Sequence, residues 1–156
     1  MMTLNIRKIM VPTDFSEFSL NAARYAVELA EKFGAEVTLL YVLQDAVALF
    51  PEPGVAFPAP GNYLQELEES SKKSLERVRD SFPKELTINT ELRNGPPFVE
   101  ILRCAREGDY DMIVIGTHGR SGLAHVLLGS VAEKVVRKAG CPVLTVRPEE
   151  HEFEMP

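Results

Sequence analysis

Short apolar runs alternate with longer segments of helical periodicity along this chain, and that alternation restricts the possible folds more than any other feature. The apolar runs are rich in strand-forming residues and include KIMV, EVTLLYV, MIVI and PVLTV. In the segments between them, apolar residues recur every three or four positions, as they do in amphipathic helices. Because strands that alternate with helices are joined by right-handed crossovers, the pattern predicts an open parallel sheet with helices on both faces.

Five strands and four helices are predicted. The strands are expected at residues 8–11, 36–42, 86–92, 112–115 and 142–146, and the helices at 15–33, around 64–78, at 98–105 and from about 130. Two strand orders fit these elements, 3-2-1-4-5 and 2-1-3-4-5. In either order the winding direction reverses beside the first strand, and ligands of open α/β sheets bind in the crevice at that point, outside the carboxyl ends of the strands.

The size and composition of the chain predict a single domain with a sizeable core, because it has 156 residues of which 45% are hydrophobic. We place that α/β domain at residues 1–148 and a tail at 149–156. A Pro- and Gly-containing loop spans 44–62. A loop of this length inside a compact domain indicates either a lid or contact surface at the crevice, or a disordered excursion.

The charge and the cysteines limit the partners and the compartment. Acidic side chains outnumber basic ones by 23 to 17, so the domain does not attract nucleic acid at long range, and we expect no nucleic-acid partner. No uncharged apolar stretch approaches the roughly 20 residues of a membrane helix, and we expect no membrane association. Cys104 and Cys141 lack the spacing of a metal site or a disulfide framework, which favours a reducing cytoplasm.

The segment DMIVIGTHGRSGLAHVLLGS, residues 111–130, joins a predicted strand to a predicted helix through several glycines. Glycines let main-chain N–H groups converge and let a ligand approach closely. We expect the helix to begin at Ser130, with the Ser130 side chain as its cap and Glu133 completing a capping box. The N–H groups and the dipole of such a helix start form an anion site.

The same segment lacks the usual phosphate-binding motifs. Neither G-x-x-x-x-G-K-[ST] nor G-x-G-x-x-G is present, which excludes a P-loop and the dinucleotide fingerprint. His118 and Arg120 are the nearby side chains that could meet a phosphate directly. The pattern therefore favours phosphate binding by the main chain. It predicts poor catalysis, because few side chains are present to stabilise the charge of a phosphoryl-transfer transition state.

Asp14 follows the first strand and has two interpretations. With Glu17 it fits a capping box at the start of the first helix. Alternatively, its place at the carboxyl end of the first strand puts it at the crevice, where it would contact a ligand. The glycine segment on the far side of the crevice favours the second interpretation.

The spacing Gly116-x2-Gly119-x9-Gly129-Ser130 resembles the nucleotide-binding signature of the universal stress protein family, in its ATP-binding branch. The segments KIMVPTDFSE, VTLLYV and AGCPVLTVRP resemble the same family, and the likeness covers residues 7–147. It implies the Rossmann-like strand order 3-2-1-4-5 and a homodimer formed through residues 142–147. The family also includes members that lack the glycine pattern and do not bind ATP.

The resemblance implies a site for ATP, with Mg²⁺ or Mn²⁺ carried by the triphosphate. Asp14 would meet the ribose or adenosine end, Pro12 would shape the turn, and Val42 would offer main-chain groups to adenine. The residues implied around the sugar and phosphates are Ile115, Gly116, His118, Gly119, Arg120, Gly129, Ser130 and Val131. We assign no catalytic residue and no protein metal ligand.

The expected function is that of an ATP-binding stress-response or signalling module with little or no hydrolysis. Two alternatives remain open at this point. One is a slow ATPase or nucleotidyl-transfer enzyme that uses Asp14 and His118 in the same crevice, and the other is a structural dimer without nucleotide. Ser121 and Ser130 are candidate phosphorylation sites, and for Ser121 a capping or solvated hydroxyl is the preferred interpretation.

Overall fold

The computed structural model describes residues 3–44, 61–118 and 128–148 of the chain. Across these ranges five strands alternate with four helices, as the sequence predicts. The strands are β1 (Lys8–Pro12), β2 (Glu36–Leu43), β3 (Ile88–Asn94), β4 (Met112–Gly116) and β5 (Val143–Val146). The helices are α1 (Glu17–Phe33), α2 (Tyr63–Asp80), α3 (Pro97–Glu107) and α4 (Ser130–Lys138). The tail at 149–156 and nearly all of the predicted loop at 44–62 lie outside the described residues.

The third strand begins and ends two residues later than predicted. It was expected at 86–92 and runs from Ile88 to Asn94. The N–H of Leu86 donates to the carbonyl of Pro83 in a turn, so regular strand geometry starts only after that turn. At the other end β3 follows β2 to its last residue, where Leu43 is paired with Asn94.

All strand pairs are parallel, and the sheet has the order β3-β2-β1-β4-β5. This confirms the predicted single open sheet and selects 3-2-1-4-5 from the two possible orders. The chain moves outward from β1 to β2 and β3 and then returns past β1 to β4 and β5. The winding direction therefore reverses between β1 and β4, at the sheet's topological switch point.

Pairing between β1 and β4 is short. It joins Ile9 to Met112 and Met10 to Ile113, although β1 continues to Pro12 and β4 to Gly116. The N–H of Thr13 donates to Leu40 on β2 at 2.8 Å, and because alternate residues of a parallel strand face opposite neighbours, Pro12 faces β4. Proline has no N–H to donate. Pro12 therefore ends this pairing, which opens a crevice between the carboxyl ends of the two strands.

Each face of the sheet buries a hydrophobic core. On one face, strand residues such as Val11, Leu39 and Val114 pack against α1 and α2. The contacting residues of α1 include Ala22, Ala26 and Ala30, whose small side chains let this helix lie close to the sheet. The opposite face packs Met10, Leu40 and Ile113 against α3 and α4. Both faces are thus covered, as a parallel sheet requires.

The sheet has two edge strands, β3 and β5. β5 is only four residues long, and its Leu144 is 36% exposed. Among the helices of the described residues, none combines the length and the apolar character that crossing a membrane requires.

Candidate functional site

The loop between β1 and α1 satisfies its own backbone N–H groups with side chains. The N–H of Asp14 donates to the hydroxyl of Ser19 at 3.3 Å. The N–H of Phe15 donates to the hydroxyl of Thr13 at 3.1 Å. The N–H of Ser16 donates to the carboxylate of Asp14 at 3.0 Å. Since these donors are already engaged, what the loop can present to a ligand is the Asp14 side chain rather than its main chain.

Ser16, and not Asp14, caps helix α1. The helix begins at Glu17, and the Ser16 side chain accepts a hydrogen bond from the N–H of Ser19 at 3.3 Å. The interpretation of Asp14 and Glu17 as a capping box is therefore wrong. Asp14 lies too early in the chain, and its carboxylate instead closes a turn by accepting the N–H two residues on, as aspartates commonly do in loops.

Phe15 has a backbone conformation that is unusual for a residue with a side chain. Its φ angle is +64°, in the left-handed region, where a side chain costs about 1–2 kcal/mol. Its ring packs on Tyr41 of β2, with the centroids 4.7 Å apart. This contact with the core and the hydrogen bond of its N–H to Thr13 hold the strained turn in place.

Gly116, the last residue of β4, lies directly against the backbone of α1. A Cβ atom at this position would be 3.0 Å from the carbonyl oxygen of Phe18 and 3.2 Å from its carbonyl carbon. No side chain fits there unless the helix moves away from the strand. The first glycine of the signature therefore brings the end of β4 into contact with the first turn of α1.

Gly129 has a comparable role at the start of α4. A Cβ atom there would be 3.0 Å from the carbonyl oxygen of Thr117, and the N–H of Gly129 donates to that same oxygen at 2.5 Å. The N–H of Gly129, which the resemblance places near the phosphates, is therefore already engaged by Thr117. The glycine instead ties the start of α4 to the residue that follows β4.

Helix α4 begins at Ser130, as predicted, but Ser130 does not cap it. Gly129 occupies the cap position with extended backbone, and no side chain caps the helix from it. The predicted capping box of Ser130 and Glu133 is wrong by one residue, because the N–H of Glu133 makes the first helical hydrogen bond, to Gly129. The N–H groups of 130–132 have no partner within a helix that starts here. They can bind an anion, and the Ser130 side chain is exposed beside them.

His118 lies between the segment after β4 and the first turn of α1. Its Nδ1 lies 2.9 Å from the hydroxyl of Thr117, which is 2% exposed. Its ring lies 5.7 Å, centroid to centroid, from that of Phe18 in the first turn of α1. Phe18 thus contacts both Gly116 and His118, and it joins the loop after β1 to the segment after β4.

Val42 brings β2 to the same edge. The N–H of Glu36 donates to Arg7 and that of Thr13 to Leu40, so the even-numbered residues of β2 face β1. Val42 lies two residues beyond Leu40, past the last paired residue of β1, Pro12. By this alternation its N–H and C=O point into the space above the end of β1.

The structure thus brings Pro12, Asp14, Val42, Gly116, His118 and Ser130 to one edge of the sheet. Ile115 and Val131 border it differently, since both pack into the core on the α3–α4 face. Alternation along β4 also turns the main chain of Ile115 toward β5, where it is paired with Thr145. Gly119 and Arg120 lie outside the described residues, as does Ser121, so their placement stays a prediction.

An ion-pair network lies beside this edge, between β3 and α3. The guanidinium of Arg93 contacts Glu91 at 2.6 Å and Glu107 at 2.8 Å. Burial opposes its charge, but these hydrogen bonds outweigh it and raise the pKa of Arg93. The neighbouring Cys104 is 1% exposed, and burial raises the pKa of its thiol to about 12. A thiol in that state is a packing group and not a nucleophile.

Three residues that organise the site escaped the sequence analysis: Thr13, Ser19 and Thr117. Their hydroxyls are buried and bond to the loop rather than to solvent. The Ser16-x-x-Ser19 spacing at a helix start was a usable signal for the cap and its partner. Within the described ranges, no group of three His, Cys, Asp or Glu side chains could hold a metal ion.

The sequence of this chain is similar to proteins of a known family. A family model described as the universal stress protein family matches residues 5–147. Universal stress protein MJ0531 of Methanocaldococcus jannaschii is 39% identical over 150 residues, which cover 94% of this chain and 85% of that protein.

Solved structures share the fold. MJ0577 of Methanocaldococcus jannaschii superposes with a TM-score of 0.78 at 28% identity, over 94% of this chain and 99% of that one. A universal stress protein from Archaeoglobus fulgidus in complex with dAMP has a TM-score of 0.58 at 23% identity, over 92% and 98% of the two chains.

Proposed function

The chain belongs to the universal stress protein family, and from that premise we propose that it binds ATP in the crevice between β1 and β4. One observation carries the proposal: the two sides of the crevice present opposite hydrogen-bonding groups. The loop after β1 presents the carboxylate of Asp14, an acceptor, and the start of α4 presents main-chain donors at 130–132. A nucleotide offers hydroxyl donors on its sugar and acceptors on its phosphates. The dAMP complex of the Archaeoglobus fulgidus relative supports this ligand class.

The strand order matches the order of groups along a nucleotide. β2, β1 and β4 are consecutive in the sheet, with neighbouring strands about 4.8 Å apart. Adenine would lie over the end of β2, where the main chain of Val42 points. The phosphates would lie at the start of α4, on the far side of β1. The sugar, which joins the two, would then lie over the end of β1, beside Asp14.

The phosphates would be bound by the N–H groups of Ser130 and Val131 and by the Ser130 hydroxyl. Gly116 and Gly129 contribute by close backbone contacts that place α4 at the crevice, and His118 borders the site from the strand side. We propose that Gly119, Arg120 and Ile115 complete the enclosure. Mg²⁺ or Mn²⁺ would enter bound to the triphosphate, since phosphate oxygens and water are its usual ligands in such sites.

Little or no hydrolysis is proposed. Among the described residues at this edge, Asp14 supplies the carboxylate, and its place over β1 would put it near the sugar rather than near the γ-phosphate. The main-chain donors that would hold the phosphates stabilise the ground state as well as the transition state, which lowers Kd without raising the rate. ATP would then act as a ligand that sets conformation or partner choice in a cytoplasmic stress-response or signalling module.

Isothermal titration with Mg-ATP, Mg-ADP and AMP tests the proposal. We expect binding of ATP, and affinity that falls as phosphates are removed, because each removes acceptors from the start of α4. Asp14→Ala should weaken binding, whereas Asp80→Ala, an exposed carboxylate at the end of α2, should not. Absence of heat with all three nucleotides would end the proposal. If the chain instead released phosphate over multiple turnovers and Asp14→Ala abolished this release, the alternative of a slow ATPase would be favoured.

A homodimer through residues 142–147 is the second part of the proposal. β5 is an edge strand with unpaired main-chain groups on its outer side and a partly exposed Leu144, which favours pairing with another copy. Sedimentation should show a dimer that Leu144→Glu converts to a monomer. Leu64→Glu, at an exposed position of α2 beside the opposite half of the sheet, is the matched control. A dimer that survives Leu144→Glu unchanged would contradict this interface.

A further inference from the structure

We propose that Ser19 is a positioning residue for nucleotide binding: its buried hydroxyl fixes the loop that carries Asp14, so that the carboxylate meets a sugar hydroxyl. The inference rests on the proposed function, since it concerns how one side of that same crevice is built. Ser19 lies in the first turn of α1, is 5% exposed and points back into the loop. Ser19 would not contact the nucleotide itself and would act by holding Asp14 in place.

The hydroxyl of Ser19 is the meeting point of the loop's hydrogen bonds. It donates to the carbonyl of Ser16 at 3.0 Å and accepts the N–H of Asp14 at 3.3 Å. Because a hydroxyl has a single hydrogen, the contact at 3.0 Å with the hydroxyl of Thr13 is then one in which Thr13 donates. Thr13 in turn accepts the N–H of Phe15 at 3.1 Å. The Ser19 oxygen thus forms hydrogen bonds with residues on both sides of the strained Phe15.

Asp14 is fixed at both ends by this arrangement. Its N–H is held by Ser19, and its carboxylate accepts the N–H of Ser16. Ser16 is itself tied to Ser19, because its carbonyl accepts the Ser19 hydroxyl at 3.0 Å. Removal of the Ser19 hydroxyl would release the main chain of Asp14 while leaving its carboxylate chemically unchanged. The defect would therefore appear in the orientation of the carboxylate, and so in what it recognises.

The test measures recognition of the sugar and not affinity alone. Titrate the full chain and Ser19→Ala with ATP, 2′-deoxy-ATP and 3′-deoxy-ATP in the presence of Mg²⁺. The unaltered chain should prefer ATP to the analogue that lacks the contacted hydroxyl by about tenfold or more, because a hydrogen bond to the charged carboxylate is lost. In Ser19→Ala this preference should shrink to within about twofold, since the acceptor is no longer held in place.

Ser71→Ala is the matched control. Ser71 is also a buried helical serine, 6% exposed, and its hydroxyl donates to the carbonyl of Leu67 at 2.7 Å in α2. Its loss removes a comparable hydrogen bond far from the crevice, so stability should fall while the preference for ATP over the deoxy analogues stays intact. A double variant adds a second control: in an Asp14→Ala background, Ser19→Ala should produce no further loss of ATP affinity.

The outcomes separate the two levels of the hypothesis. If the unaltered chain binds none of the three nucleotides, the proposed function fails. If it binds ATP and Ser19→Ala keeps the full preference, the positioning role fails while the function stands. Equal affinity of the unaltered chain for all three nucleotides would also overturn the inference, because no sugar hydroxyl would then be read.

Thr13→Val gives a second route should Ser19→Ala not fold. Valine matches threonine in shape and removes the hydroxyl that links Ser19 to Phe15. A reduced preference for ATP over the same deoxy analogue is expected, smaller than in Ser19→Ala because the bond from Asp14 to Ser19 remains. An unchanged preference in Thr13→Val, with a cooperative thermal transition, would count against the network.

Discussion

The two loops that border the crevice solve the same problem with opposite means. Both lead from the carboxyl end of a strand into a helix at the switch point of the sheet. Between β1 and α1, side-chain oxygens of Thr13, Asp14 and Ser19 accept the backbone N–H groups, and Ser16 caps the helix. Between β4 and α4, the described residues Gly116 and Gly129 make direct backbone contacts, and the cap residue of α4, Gly129, has no side chain to cap the helix.

The difference decides what each loop can bind. A loop that satisfies its own donors is left with acceptor groups and rigidity, and it can hold a carboxylate in place. The first N–H groups of a helix have no partner within the helix, and helix termini bind phosphate through such groups. The crevice therefore has an acceptor over β1 and donors beside β4, and under the proposed function this arrangement would distinguish the two ends of a nucleotide.

The largest expected effect comes from filling the contact that glycine leaves open. Gly116→Ala should lower the free energy of unfolding by about 1–3 kcal/mol, because the added Cβ meets backbone atoms of α1, and helix or strand must shift to admit it. Nucleotide affinity should fall as well, since α1 and β4 must separate. Chemical denaturation, followed by circular dichroism, measures the first effect, and titration with ATP the second.

Gly140→Ala is the control for that substitution. A Cβ at Gly140 would meet nothing within 4 Å, and its backbone does not require positive φ. Its stability should match that of the unaltered chain or exceed it slightly, because alanine restricts the unfolded state. If the two alanine variants had equal free energies of unfolding, the close contact at Gly116 would not contribute to stability. The contrast between the two loops would then lack support on the β4 side.

The sequence predicted the sheet well because hydrophobic periodicity is set locally. Every strand and helix was predicted to within two residues, and the start of α4 at Ser130 is confirmed. The family resemblance, and not periodicity, distinguished the order 3-2-1-4-5 from its alternative, because strand order depends on how crossovers pack. That packing is a tertiary property which no single element encodes.

The caps were predicted less well, for a physical reason. Both capping boxes were assigned from spacing alone, and Asp14 and Ser130 proved not to be the caps. The cap is the residue whose backbone leaves the helix, and that depends on neighbouring contacts, such as the bond from Gly129 to Thr117. Likewise, Thr13 and Ser19 are unremarkable hydroxyls in a sequence until the turn brings them within 3.0 Å of each other.

The next effect tests whether the donors of α4 bind the phosphates. Proline is favoured at the first position of a helix, which Ser130 occupies, and Gly129 before it has φ −63° and ψ 156°, a conformation that proline allows. Ser130→Pro should therefore preserve α4 while deleting one N–H. We expect ATP affinity to fall about tenfold, because a hydrogen bond to a charged group is lost.

Ser130→Ala separates the N–H from the hydroxyl. It keeps the main-chain donor and removes only the side-chain oxygen, so its loss of ATP affinity should be smaller than that of Ser130→Pro. Thermal unfolding of both variants should stay close to that of the unaltered chain. Equal affinity of the two variants for ATP would show that the N–H of residue 130 does not bind the phosphates. The proposed contrast between the two loops would then fail for the loop after β4.

The smallest effect separates the cap of α1 from the positioning of Asp14. Ser16→Ala removes the side chain that accepts the N–H of Ser19 but leaves the Ser16 N–H for Asp14, so it should cost about 1 kcal/mol of stability. ATP affinity should stay within about twofold, less than the change caused by one hydrogen bond to the ligand. Ser81→Ala, which removes an exposed hydroxyl at the end of α2, should change neither quantity and serves as the control. A loss of ATP affinity in Ser16→Ala as large as in Ser19→Ala would mean that the cap and the carboxylate are a single unit, and that the loop after β1 binds through its fold as a whole.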